Sequence, residues 1–253
     1  MPNASQSTRS IIRAMAFRTS RRGPTTQISS LASSKSFLDV LDLRDVTLCG
    51  VSIGGTVALM LAGRHDARVA RVVAINPYDY ARRRGLARSS LAGWLITATS
   101  RIPILGETMM RLRNFTITKA ILRGGVANAE SIPPELLKEM YEVGHRNGHY
   151  RAFISLLRKS GSWEAATKEC RGVDMPVRLV WGDKDWATLE ERTREHHLVP
   201  SAEVATILEG GHFLPLDRPD AVVQQIEIVL RSAYFLAQEA GCHPEAHKLD
   251  AIK

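Results

Sequence analysis

Cysteine is scarce in this chain: Cys49, Cys170 and Cys242 are the only three in 253 residues, odd in number and far apart. A disulfide framework or a zinc site is not expected, and a reducing, cytoplasmic setting fits best. Long apolar runs are missing too. The richest, "LAGWLITAT" (91–99), is about half of the roughly 18–20 residues a membrane span takes, so stable membrane insertion is not expected. Acidic side chains are absent from residues 1–38, which carry Arg9, Arg13, Arg18, Arg21, Arg22 and Lys35. The net charge of +8 is therefore local, because 28 basic residues face 26 acidic ones once those six are set aside. With no basic stripe interleaved with aromatics, nucleic acid is not an expected partner. No His-Glu-x-x-His occurs, and the turn signal Asn147-Gly148 separates His145 from His149, so neither metal nor cofactor is expected.

What the chain does contain is an ordinary globular composition, 44 % hydrophobic and 24 % charged, with a clear rhythm from Ser36 onward. "SFLDVLDL" carries a helical apolar stripe. "VTLCGV" reads as a buried strand, "GGTVALMLAGRH" as a helix, and Val69 to Ile75 as a second strand, a parallel βαβ order. Further strands are predicted in "PVRLVWGD" (176–183) and "AEVATILEGG" (202–211), with a helix in "LEERTREHHL" between them. A long amphipathic helix follows at 221–238. Residues 78–170 interrupt this pattern with helices parted by "RIPILG", "LRGG", "SIPPE" and "RNGHY". The expected organisation is an α/β core of 36–77 and 171–238, split by a helical insertion at 78–170. An atypical basic segment, 1–35, precedes it and a loose tail, 239–253, follows. Residues 1–35 read as a disordered tail or the product of a misplaced start, with an organelle transit peptide as the lesser alternative.

One serine stands out, in "VTLCGVSIGG" (46–55). A strand that turns at once into a helix holds its apex residue in a strained conformation and projects that side chain from the sheet edge. Small neighbours two positions away, Gly50 and Gly54, make the turn feasible. The helix amino end favours developing negative charge, which suits Ser52 to attack on a carbonyl. Five residues are weak evidence alone; the strand before and helix after give them meaning. A hydroxyl also needs a base, and the base an orienting acid. "WGDKDW" places Asp183 and Asp185 after the third strand, and "LEGGHFLPLDRP" places His212 after the fourth. All follow strands at one edge of a parallel sheet, where such sheets carry their sites. Asp185 is expected to orient His212, and Asp183 to cap its own turn.

These motifs, "CGVSIGG", "WGDKDW" and "GGHFLPLDRPDAV", resemble those of the α/β-hydrolase superfamily across about residues 36–237. The resemblance implies a serine hydrolase with Ser52 as nucleophile, His212 as base, Asp185 as acid and the Ile53 backbone N–H as one oxyanion donor. The helical insertion resembles that family's lid, with "LAGWLITAT" and "PILGETMM" as candidate pocket walls or lid core and "ARRRGLAR" (81–88) as a solvated charge cluster or, the lesser reading, a draw for anions. The implied fold is a parallel sheet flanked by helices, amino-terminally incomplete because only 51 residues precede Ser52. The expected substrate is a small carboxylic ester, lactone or related carbonyl compound. A truncated or degenerate member with little or no turnover stays open as the alternative.

Overall fold

A computed structural model describes residues 27–77 and 84–239. Its sheet has four parallel strands, β1 (Val46–Val51), β2 (Val69–Ile75), β3 (Val177–Gly182) and β4 (Glu203–Ile207), in the order β1-β2-β3-β4. The register runs Gly50 to Ala74 to Leu179 to Val204, so all four strands end along one edge.

The central strands are apolar on both faces because helices cover both. Val72, Ala74, Leu179 and Trp181 point to one side, where they meet α1 (Gln27–Val40) and α2 (Ile53–Ala62). The alternate residues Val73, Ile75 and Val180 meet the opposite layer, α12 (Pro219–Glu239), through Val222 and Val229. This two-residue alternation divides the core in two. The helix expected from Ser36 already begins at Gln27, and Leu31 and Leu38, both buried, anchor it. β1 lies at the end of the sheet, its residues half-buried and Cys49 exposed, with no strand beyond it among the described residues.

Between β2 and β3 the described chain is helical: α3 (Arg84–Ala87), α4 (Leu91–Thr99), α5 (Leu105–Arg111), α6 (Phe115–Arg123), α7 (Pro134–Gly144), α8 (His149–Arg158) and α9 (Ser160–Ala166). This insertion has its own apolar cluster of Ile96, Met110, Ile154 and Leu157. Ile96 and Met110 come from the two candidate wall segments, and they pack inward while Leu91 and Trp94 face solvent. After β3, α10 (Leu189–Leu198) opens with a capping box between Thr188 and Glu191. A short α11 (Leu214–Asp217) precedes α12. Among the described residues no helix is long and apolar enough to cross a membrane. Most of the 1–35 segment, Cys242 and the tail beyond 239 lie outside the described residues.

Candidate active site

Ser52 stands between β1 and α2 with φ 55° and ψ −123°, a conformation L-residues rarely adopt. Its N–H donates to the Ile75 carbonyl (2.9 Å) as the last rung of the sheet, and its carbonyl accepts from Thr56 N–H (3.1 Å) as the first rung of the helix. The reversal takes one residue. It is feasible because a Cβ at Gly50 would lie 2.3 Å from the Gly54 carbonyl carbon, a contact only glycine avoids. Ile53 opens α2 directly after the serine, so its N–H has no partner within the helix.

The edge logic brings the other two residues to this serine. His212 Nε2 lies 3.0 Å from Ser52 Oγ, and His212 Nδ1 lies 2.7 Å from Asp185 Oδ1. With the carboxylate ionised, Nδ1–H donates to Asp185 and bare Nε2 accepts from the Ser52 hydroxyl. The Asp185 side chain is fully buried and that of His212 is 3 % exposed, which strengthens both interactions. The second Asp185 oxygen accepts from the Ala187 N–H (2.9 Å), so this carboxylate is itself held by its turn. Asp183 departs from expectation. Its carboxylate accepts from the Gly210 N–H (3.0 Å) on the neighbouring loop rather than from its own turn, and so ties the acid loop to the histidine loop.

Three residues that the sequence reading passed over complete the frame. Asn76, fully buried just past β2, donates to the carbonyls of Gly211 and His212 (both 2.9 Å) and accepts from Gly182 N–H (2.8 Å). Its φ of 43° suits asparagine. The signal was available: a polar residue directly after a buried strand, at the edge already used to find Asp185 and His212. Asp217 accepts from the N–H groups of Gly211 (2.9 Å) and Ala127 (2.8 Å) with one oxygen and Asn128 (3.2 Å) with the other. Trp186 stacks on the His212 ring at 4.0 Å between centroids, with 12° between the planes.

Contacts between the insertion and the histidine loop run through Gly124–Asn128. Phe213 N–H donates to the Gly125 carbonyl (2.7 Å), and a Cβ on Gly125 would meet the Phe213 ring at 2.4 Å. Within the basic run, residues 81–83 lie outside the described residues, while Arg88 is engaged in an ion pair with Glu191 (2.6 Å). Burial would raise the Glu191 pKa, but Arg88 and the Thr188 N–H outweigh it and hold the carboxylate below its ordinary value. Arg88 thus serves as a structural tie rather than a free anion trap. His145 bonds the carbonyls of Tyr141 (2.7 Å) and Arg113 (2.8 Å). No group of His, Cys, Asp or Glu arranged to hold a metal occurs among the described residues.

The chain has relatives in sequence and in fold. The chain is 30 % identical over 235 residues to a pimeloyl-[acyl-carrier protein] methyl ester esterase of Aromatoleum aromaticum, covering 84 % of this chain and 83 % of that one. Among solved structures, Cfl2 from Burkholderia cenocepacia superposes with a TM-score of 0.69 at 20 % identity, over 82 % of this chain and 73 % of that chain. The enol-lactonase of Burkholderia xenovorans LB400 gives 0.61 at 21 %, over 83 % and 75 %. These two likenesses concern the fold. The model of the alpha/beta hydrolase family matches residues 9–225, opening well upstream of the Ser36 at which the sequence motifs begin. With most of its length matched, a parallel sheet flanked by helices and a hydrolase among its relatives, the chain belongs to the α/β-hydrolase family.

Proposed function

We propose that this protein is a serine hydrolase that transfers an acyl group from a small carboxylic ester, lactone or related carbonyl compound to water. The observation that carries the reading is the unbroken relay from Ser52 Oγ through His212 to the buried Asp185 carboxylate. His212 takes the hydroxyl proton as Ser52 attacks the carbonyl carbon. The tetrahedral oxyanion forms beside the Ile53 N–H at the start of α2. His212 then protonates the leaving alcohol, which departs and leaves an acyl-serine. A water, deprotonated by the same imidazole, attacks that ester and releases the acid. Asp185 keeps the imidazole in the productive tautomer throughout. The esterase relative favours ester cleavage within this class.

A fluorophosphonate probe tests the reading. It is expected to label the folded protein stoichiometrically and to leave Ser52→Ala unlabelled. Native protein that stays unlabelled, or equal labelling of Ser52→Ala, would overturn it.

A further inference from the structure

Trp186 is gripped from both limbs of the helical insertion and lies flat on the imidazole. Its carbonyl accepts from the guanidinium of Arg88, just after α3, which also pairs with Glu191. Its indole Nε1–H donates to the carbonyl of Gly124, just after α6, at 2.8 Å. Those two limbs touch each other there, since a Cβ on Gly124 would lie 1.8 Å from the Ser89 carbonyl oxygen. Phe213, from the histidine loop itself, stands edge-on beside the stacked pair, its ring centroid 5.8 Å from the indole and 5.4 Å from the imidazole.

From this arrangement we infer that Trp186 is a positioning residue through which the docking of the insertion sets the His212 ring between Ser52 and Asp185; the inference rests on the hydrolase reading of the same site. An imidazole held by hydrogen bonds at Nδ1 and Nε2 can still roll about the line through those atoms. Rolling swings the lone pair of Nε2 off the serine hydroxyl. A flat aromatic surface at stacking distance removes that freedom, and its negative face also favours the imidazolium formed during attack. The indole acts only while it is itself held, and both of its tethers belong to the insertion. A shift of the two limbs therefore reaches the base without touching it. The coupling has a physical path, one side chain long.

The test is a double-mutant cycle between Arg88→Gln and Trp186→Leu, read in two ways. In protein labelled with ¹⁵N-histidine, with His212→Gln used to identify the signals, Arg88→Gln is expected to move the His212 ring resonances when Trp186 is present and to leave them in place in Trp186→Leu. In steady-state hydrolysis of p-nitrophenyl acetate, Trp186→Leu is expected to lower kcat about 10–100-fold with little change in KM, the mark of a displaced base rather than a lost binding contact. Trp186→Phe, which keeps a ring but loses the Gly124 tether, is expected to recover part of that loss. Should Trp186→Leu fail to fold, the same cycle is read with Trp186→Phe, where a reduced Arg88→Gln effect is expected. Equal effects of Arg88→Gln in both backgrounds, or an unchanged kcat in Trp186→Leu, overturn the inference. Hydrolysis that survives Ser52→Ala would overturn the hydrolase reading instead, and the resonance cycle would still decide the coupling by itself.

Discussion

The strand-end loops and the helical insertion treat their polar atoms in opposite ways. At the sheet edge, Asn76, Asp183, Asp185 and Asp217 all have backbone partners in neighbouring loops or turns. In the insertion, Arg113 Nε, Thr118 Oγ1, His149 Nδ1 and Trp163 Nε1 are buried without a partner, and no such atom occurs elsewhere among the described residues. The insertion also shows solvent large apolar residues, including Leu91, Ile104 and Leu112. Buried hydrogen bonds specify one geometry, whereas apolar packing tolerates several. Positions that must hold to a fraction of an ångström lie in the first region. The second region is held mainly by packing.

The largest expected effect tests that contrast at its strictest point. Asp185→Asn keeps the shape but offers Nδ1 of His212 an amide that stabilises the wrong tautomer, and kcat for p-nitrophenyl acetate is expected to fall on the order of 10⁴-fold. Substitution of an insertion core residue such as Met110→Leu should leave kcat within a few-fold. Comparable losses from both would erase the distinction. Next comes Gly50→Ala, whose methyl group would have to share space with the Gly54 backbone. A loss of about 2–3 kcal/mol in urea unfolding is expected, and a neutral result would mean that the elbow is looser than its geometry indicates.

Asp217 joins the two regions, so its removal reports on both. Asp217→Ala strands the N–H groups of Gly211, Ala127 and Asn128, with an expected loss of about 1–3 kcal/mol and a lower kcat. Asp217→Asn, which keeps one acceptor oxygen, should recover part of both. A drop in stability without any drop in kcat would show that the histidine loop holds its place unaided.

The same contrast explains what the sequence could reveal. Strand–turn–helix at Ser52, and the loops after β3 and β4, follow from periodicity and from the rule that parallel strands deliver side chains to one edge. Ser52, Asp185 and His212 could be named on that basis because each lies at a strand's end. Asp217 and Trp186 could not. Their meaning comes from contacts with residues 124–128 and 88, which sit in a segment whose helices pack by shape rather than by strand register. Asp183 shows the limit from the other side. Its residue type is right for a turn cap, yet its carboxylate accepts from the Gly210 N–H of the neighbouring loop. Sequence reading also placed the start of α1 nine residues late, because "QISSLASSK" is short of apolar residues, although Leu31 within it is buried.

A smaller effect concerns pH and the insertion alone. Burial pushes the His149 pKa below its ordinary value of about 6.5, and the charges of Arg113 and His145 add to that. The unfolded chain therefore binds a proton near pH 6.5 while the folded chain does not, so stability falls as pH drops from about 6.5 toward the folded value and is level above it. Hydrogen exchange, corrected for its intrinsic pH dependence, should show α7 and α8 opening more readily at about pH 5.5 than at about pH 7.5. The strands should change less. Equal loosening of both regions would place the sensitivity outside His149.

The finest comparison sets two strained residues side by side. Ser52 holds positive φ where the strain aims a hydroxyl at His212, and a glycine there would relax the backbone and lose the relay. Ile104, at φ 66° and ψ −54°, sits in a three-residue turn closed by Leu105 N–H to the Pro103 carbonyl (2.7 Å). That turn is a strained form, and a β-branched side chain is among the worst choices for it. The residue is 79 % exposed, so little packing offsets the strain. Ile104→Gly is expected to raise stability by about 0.5–1 kcal/mol, the relief exceeding the extra chain entropy of glycine. In a chain of this size that is a rise of about 1–4 °C in Tm at unchanged kcat. A lower Tm would show that Ile104 is packed against something in solution, and the exposed apolar face around it would then have to be counted as covered.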